Sequence, residues 1–209
     1  MGTHTLPHPP DLSPAEEADH HARAVGVALW LFIGVASTFF SLFLAAYAMR
    51  MLDAPDWSQI ALPGQLWLST ALLAVGSALM QMAANHAGHP QRLRIALVGG
   101  GLAAAAFVGS QLWGWQALID QRVLLGANPA ASFFYVLTAL HGLHVLGGLI
   151  AWSIAAQALS LPAAELPAAT WRVALCARYW HFLLVVWVLL FAALALLTPE
   201  VVRFICGRG

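Results

Sequence analysis

The segment that decides the fold class reads ASFFYVLTALHGLHVLGGLIAWSIAAQAL and covers residues 131–159 without a formally charged side chain. The hydrocarbon core of a bilayer is about 30 Å thick and needs roughly 20 helical residues to cross it, so this segment is long enough for one crossing. Gly126, Asn128 and Pro129 before it and Pro162 after it are typical of loops. The segment lacks the strict alternation of polar and apolar residues that the wall of a membrane β-barrel requires. We therefore predict one transmembrane helix here.

Four more uncharged runs lie on either side of this segment. Their lengths predict further transmembrane helices near residues 24–50, 65–85, 94–118 and 175–198. The predicted fold class is all-α, a polytopic membrane protein with five transmembrane helices in a domain over residues 24–200. A polar tail, 1–23, precedes this domain and a short tail, 201–209, follows it. Ser13-Pro14-Ala15-Glu16 matches a capping box with proline at the first helical position, so we expect a short polar helix to lead into the first span.

The composition of the whole chain agrees with a membrane protein. Of its 209 residues, 61% are hydrophobic and only 9% are charged, with a mean hydropathy of +0.77. Soluble domains carry about 25% charged residues, and disordered chains are less hydrophobic still. Nine basic and nine acidic residues give no net charge, so a nucleic-acid partner is not expected.

The arginines predict how the chain lies in the membrane. With five crossings, five arginines fall on the side of the N-terminus and four on the other side. Arg92 and Arg94 lie in a short loop on the first side, where the positive-inside rule is most reliable. We therefore expect a cytoplasmic N-terminus and a C-terminus on the opposite side.

Three histidines are the notable polar residues within the predicted spans, because no Asp, Glu or Arg lies in the middle of one. His141 and His144 lie on one helix at i and i+3, and His181 lies near the start of the fifth span. Such imidazoles either ligate a haem or metal, or hydrogen bond between helices or to lipid headgroups. Two adjacent histidines without a carboxylate or thiol favour the second interpretation. No catalytic, cofactor-binding or metal-binding residue is predicted.

Residues 132–148, SFFYVLTALHGLHVLGG, closely resemble the signature of subunit III of the haem-copper oxidases, in which an aromatic run and a threonine precede HGLHV and glycine. Three more segments are similar to that family and occur in the same order. They are 30–47, with WLFI, FF and Tyr; 111–130, with QLWGW and NPA; and 179–187, with YWHF and VVW. The resemblance covers about residues 24–198 and is to the family's short, five-helix form.

The resemblance implies a non-catalytic core subunit of a cytochrome c oxidase, which serves aerobic respiratory electron transport in the bacterial inner membrane. In that family the subunit packs directly against subunit I, beside subunit II and further respiratory subunits, with its N-terminus cytoplasmic and its C-terminus periplasmic. Haem and copper are then expected in the partner subunits, and a bound phospholipid is expected in a cleft of this chain. Seven matched residues are expected to make contacts between helices or to lipid: Tyr135, Thr138, His141, His144, Trp180, His181 and Trp187.

Two positions depart from the family's pattern, and other interpretations stay open. The family commonly carries Glu and Asp where this chain has Ala36 and Leu184, so the roles of those carboxylates are not expected here. Within the family, subunit III of a quinol oxidase and a subunit associated with nitric oxide reductase are alternatives. Outside it, a b-type haem membrane protein would use the three histidines. A small transporter is disfavoured by the lack of charge within the spans.

Overall fold

A computed structural model describes residues 13–53, 57–86, 88–126, 128–160 and 166–205. These residues form five long helices and one short one, which are α1 (Pro14–Asp53), α2 (Gln65–Asn85), α3 (Pro90–Asp120), α4 (Pro129–Ala156), α5 (Leu166–Leu196) and α6 (Pro199–Ile205). The first five are long and apolar enough to cross a membrane. No strand occurs within the described ranges. The prediction of an all-α fold with five spanning helices is confirmed.

The capping box at the start of α1 forms as its sequence predicts. The Ser13 hydroxyl accepts a hydrogen bond from the Glu16 amide (3.4 Å), and the Glu16 carboxylate accepts one from the Ser13 amide (2.9 Å). The helix that starts here is not a separate short helix, because α1 continues without a break for 40 residues. Residues 1–12 of the polar tail lie outside the described residues.

The ends of α4 and α5 differ from the predicted spans. Helix α4 ends at Ala156 rather than at residue 159, and a 3₁₀ turn, Gln157–Ser160, follows it. Helix α5 begins at Leu166, nine residues before the predicted start at 175. The charge of Arg172 indicates where the span leaves the hydrocarbon, and the predicted start lies after it. Because arginine is also a good helix former, α5 begins before Arg172.

Helices α2 to α5 form the central bundle, and α1 lies at its edge. Helix α2 packs against α3 and α5, α4 packs against α3 and α5, and α1 contacts α4, α5 and α6. The most apolar part of α1 has 11% of its residues buried, compared with 50% for α5. The largest fully buried side chains are those of Trp180, Trp187, Phe107 and Phe134. The core therefore lies among α2, α3, α4 and α5, with α1 as a peripheral wall.

Candidate functional site

His141 occupies the centre of the bundle. Its side chain is fully buried, and its ring lies near those of Phe40 in α1, Phe107 in α3 and Trp187 in α5, with centroids 6.3, 5.8 and 5.2 Å away. Neither ring nitrogen has a hydrogen-bond partner among the described residues. A residue so enclosed is out of reach of a lipid headgroup and contacts three neighbouring helices instead.

His181 connects α5 to α2 through both nitrogens of its ring. Nδ1 is hydrogen bonded to the Ser77 hydroxyl, and Nε2 to the Gln81 side-chain oxygen at 2.8 Å. Both partners belong to α2. Because both nitrogens are used, this histidine serves the packing of two helices.

Two indole N–H groups form further links between helices. Trp187 of α5 donates to the Thr70 hydroxyl of α2 at 2.9 Å. Trp115 of α3 donates to the Thr138 hydroxyl of α4 at 3.1 Å. The Tyr135 hydroxyl donates to the Val123 carbonyl at 2.8 Å, and this bond fixes the start of α4 to the loop before it.

Trp180 is fully buried at the contact between α4 and α5. A Cβ atom added at Gly148 of α4 would lie 3.0 Å from Leu183 and 3.4 Å from Trp180 of α5. Because glycine has no side chain, α4 and α5 can pack closely at this point. Trp180 is thus a residue of the interface between α4 and α5.

His144 lies at the edge of the bundle and borders a groove between α1 and α4. Its Nδ1 donates to the Leu140 carbonyl at 2.7 Å, and its ring lies 5.1 Å from that of Phe40 and 5.8 Å from that of Phe32. The Tyr179 hydroxyl donates to the His144 carbonyl at 3.0 Å. The structure therefore separates the two histidines of the HGLHV segment, with His141 inside and His144 at the groove.

The groove contains two neighbouring cavities that share Phe32. The larger, about 500 Å³, lies among α1, α4 and α5 and has His21, Trp171 and Arg172 at its polar end. The smaller, about 220 Å³, lies farther along the groove beside His144. The sequence alone did not identify this polar end, because His21 meets Trp171 only through the packing of α1 against α5.

The described residues include no group of three His, Cys, Asp or Glu side chains placed to hold a metal ion. His141 and His144 are neighbours on α4, but one ring is enclosed and the other borders the groove. His181 would have to release Ser77 or Gln81 before it could ligate anything.

No protein-family model matches the chain. Among curated proteins, it is 26% identical over 198 residues to the cytochrome bo(3) ubiquinol oxidase subunit 3 of Pseudomonas aeruginosa, a match to 89% of this chain and 94% of that protein. It is 24% identical over 196 residues to the cytochrome c oxidase subunit 3 of Bacillus sp. strain PS3, with 88% and 91% covered. A 93-residue segment is 33% identical to the probable cytochrome c oxidase subunit 3 of Nocardia farcinica and spans only 45% of that protein.

Over most of its length the chain is therefore similar to subunit III of the haem-copper oxidases. The resemblance found from the sequence is thereby confirmed, and the chain is a multi-pass membrane protein. Ala36, one of the two positions where the resemblance leads us to expect a carboxylate, is 4% exposed and borders the smaller cavity next to His144. Leu184 is half-buried in α5.

Proposed function

We propose that this subunit III is a non-catalytic core subunit of a respiratory haem-copper oxidase, packed directly against subunit I, with haem and copper held by its partners. The match along 94% of the Pseudomonas subunit 3 carries this proposal. The side-chain chemistry supports it, because the polar groups of His181, Trp187 and Thr138 join helices and are not available for a reaction.

Capture of the complex tests this function. An affinity tag after residue 209 is used to purify the chain from native membranes in a mild detergent. We expect a large haem-bearing subunit and a second subunit to be recovered with it in equal amounts, as quantified by mass spectrometry. Recovery of the intact, folded chain without any haem-bearing protein would contradict the proposal.

The same capture experiment distinguishes the two electron donors. The Bacillus relative is named as a cytochrome c oxidase subunit and the Pseudomonas relative as a ubiquinol oxidase subunit. We propose the cytochrome c form, for which the captured second subunit carries a bound copper centre that metal analysis detects. A second subunit free of copper would favour the quinol form.

The larger cavity is proposed to hold a phospholipid. Arg172 and His21 at its polar end can donate hydrogen bonds to a phosphate. Val25, Leu29 and Phe32 of α1 form an apolar wall along which an acyl chain can lie. Trp171 lies edge-on to His21, with centroids 5.9 Å apart, and helps to close the polar end. The site therefore combines a cationic headgroup position with a tail groove.

Lipid analysis of matched arginine variants tests this site. We expect Arg172→Gln to lower the amount of phospholipid that stays bound per chain after delipidating washes. Arg94→Gln is the control, because Arg94 is also exposed and borders none of the cavities described above. Equal retention of phospholipid in both variants would show that Arg172 does not bind the headgroup.

The orientation is proposed from the arginine distribution, with the N-terminus in the cytoplasm, the C-terminus in the periplasm and the chain in the bacterial inner membrane. Ser13 precedes α1, and Gln121 lies in the loop between α3 and α4 on the opposite side of the membrane. In a Cys206→Ser background, an impermeant maleimide should label Gln121→Cys in intact spheroplasts and Ser13→Cys only after lysis. The reverse labelling pattern would show that the N-terminus lies in the periplasm.

A further inference from the structure

The smaller cavity of the groove has one polar side chain, His144, among walls that are otherwise apolar. Because a carbonyl only accepts, Nδ1 of this ring carries the hydrogen that is donated to Leu140. In the neutral ring with the hydrogen on Nδ1, Nε2 is a hydrogen-bond acceptor. No described residue donates a hydrogen bond to Nε2.

The depth of His144 limits what can supply that donor. His144 is twelve residues from Ala156, the nearer end of the 28-residue helix α4, which corresponds to about 18 Å along the helix axis. With a hydrocarbon core about 30 Å thick, the ring lies close to the middle of the membrane. The headgroup and glycerol of a phospholipid lie outside this core. A molecule that is dissolved in the bilayer and carries a hydroxyl group into the hydrocarbon can supply the donor at this depth.

The walls of the cavity suit an aromatic ring. The rings of Phe32 and Phe40 face His144, and Phe39 and Phe43 extend the same wall along α1. The small side chain of Ala36 leaves room beside the imidazole, and the cavity volume is about 220 Å³. Phenyl side chains pack favourably against a further ring, edge-on or offset. The volume is that of a single substituted ring rather than of a whole lipid.

We propose that this cavity binds the ring of a quinol, with one ring hydroxyl donating to Nε2 of His144. Val35 and Phe39 at its mouth are exposed on the surface of the bundle, so a quinol dissolved in the bilayer enters from the side and leaves its isoprenoid tail among the lipids. The inference goes beyond the proposed function, since it assigns a binding site and no electron transfer, and it is tested on the chain alone.

Quinol binding to the full-length chain in nanodiscs tests the site. Discs with and without protein are incubated anaerobically with decylubiquinol, separated and extracted, and the quinol content is measured. We expect a saturable excess of one quinol per chain over empty discs. Ala36→Phe fills the cavity and should abolish the excess. Ala45→Phe, the same change at an exposed position of α1, should preserve it.

The histidine gives a second measurement that does not depend on filling the cavity. His144→Leu removes the acceptor and should weaken quinol binding by up to about tenfold, the expected effect of one hydrogen bond. His144→Gln, which keeps an acceptor, should retain more of the affinity. Absence of a saturable excess, or equal binding by wild type, His144→Leu and a folded Ala36→Phe variant, would overturn the proposal. Phospholipid tails alone would then fill this part of the groove, while capture of the haem-bearing subunit would be unaffected.

Discussion

At the residue scale, His181 is the most connected of the three histidines. Replacing it with phenylalanine removes the hydrogen bonds to Ser77 and Gln81 on α2 while keeping a ring of similar size. Hydrogen bonds between membrane helices contribute about 0.6–1.7 kcal/mol each, so we expect a loss of about 1–3 kcal/mol in unfolding free energy. This loss is measured by titrating the protein with sodium dodecyl sulfate and monitoring its unfolding by circular dichroism.

The control for this prediction is His20→Phe, a matching change at an exposed position of α1. We expect it to leave the unfolding free energy of the membrane bundle unchanged. If His181→Phe were as stable as His20→Phe, the two hydrogen bonds between α5 and α2 would have no net stabilising effect.

The sequence identified the residues of this site but not their partners. Imidazoles inside apolar spans are conspicuous, so His141, His144 and His181 were found without a structure. Ser77, Gln81 and Thr70 were not, because a serine or glutamine in a helix gives no sign of which neighbour it faces. That information depends on how α2 packs against α5, which one-dimensional periodicity does not specify.

At the element scale, the contact between α3 and α4 depends on the missing side chain of Gly101. A Cβ atom there would overlap the indole ring of Trp152, whose N–H donates to the Leu97 carbonyl at 2.8 Å. Gly101→Ala should therefore displace Trp152, break this hydrogen bond and lower the unfolding free energy by about 1–3 kcal/mol. Sodium dodecyl sulfate titration again provides the measurement.

Gly109→Ala on the same helix is the matched control, since nothing lies within 4 Å of the added Cβ. Alanine is a better helix former than glycine, so this variant should be neutral or more stable by up to about 1 kcal/mol. Equal stability of the Gly101 and Gly109 variants would show that α4 can move away from α3 at no cost.

Helix α6 should respond to acid through Glu200. Hydrogen bonds from the Thr198 hydroxyl and from the Glu200 amide, and the nearby charge of Arg203, lower the pKa of this exposed carboxyl from its ordinary value of 4.5. A lowered pKa means that the folded helix favours the ionised form. This contribution is complete above pH 4.5 and is lost as the pH falls through the lowered pKa.

Hydrogen–deuterium exchange over residues 199–205 measures this effect. Below pH 4, amide protection in α6 should fall in the wild type relative to Glu200→Gln compared at the same pH. Protection that changes equally in both proteins would mean that Glu200 does not stabilise the start of α6.

The helices were predictable to different degrees. The start of α1 followed from Ser13 and Glu16, whose capping box is a local interaction within one turn. The start of α5 did not, since the limits of an apolar run mark where a helix leaves the membrane and not where it begins. Gly101 also gave no local signal, because its role depends on Trp152, a residue far away in the sequence.

At the scale of the whole molecule, polar side chains inside this weakly charged bundle serve helix packing. Several polar side chains within the described bundle link one helix to the next, as His181, Trp187 and Trp115 do. Helix α1 is packed on one side only and creates the groove with both cavities. The five crossings followed from run lengths, but the groove did not, since its walls come from α1, α4 and α5 together.

We propose that this chain supports a redox centre in another subunit and holds none itself. The most direct measurement is the reduced-minus-oxidised absorption spectrum of the chain expressed and purified alone, compared with that of the complex captured through it. We predict haem bands in the complex and no stoichiometric Soret band in the isolated chain. A Soret band equivalent to one haem per isolated chain, abolished by His141→Ala or His181→Ala, would contradict the account and establish a b-type haem protein.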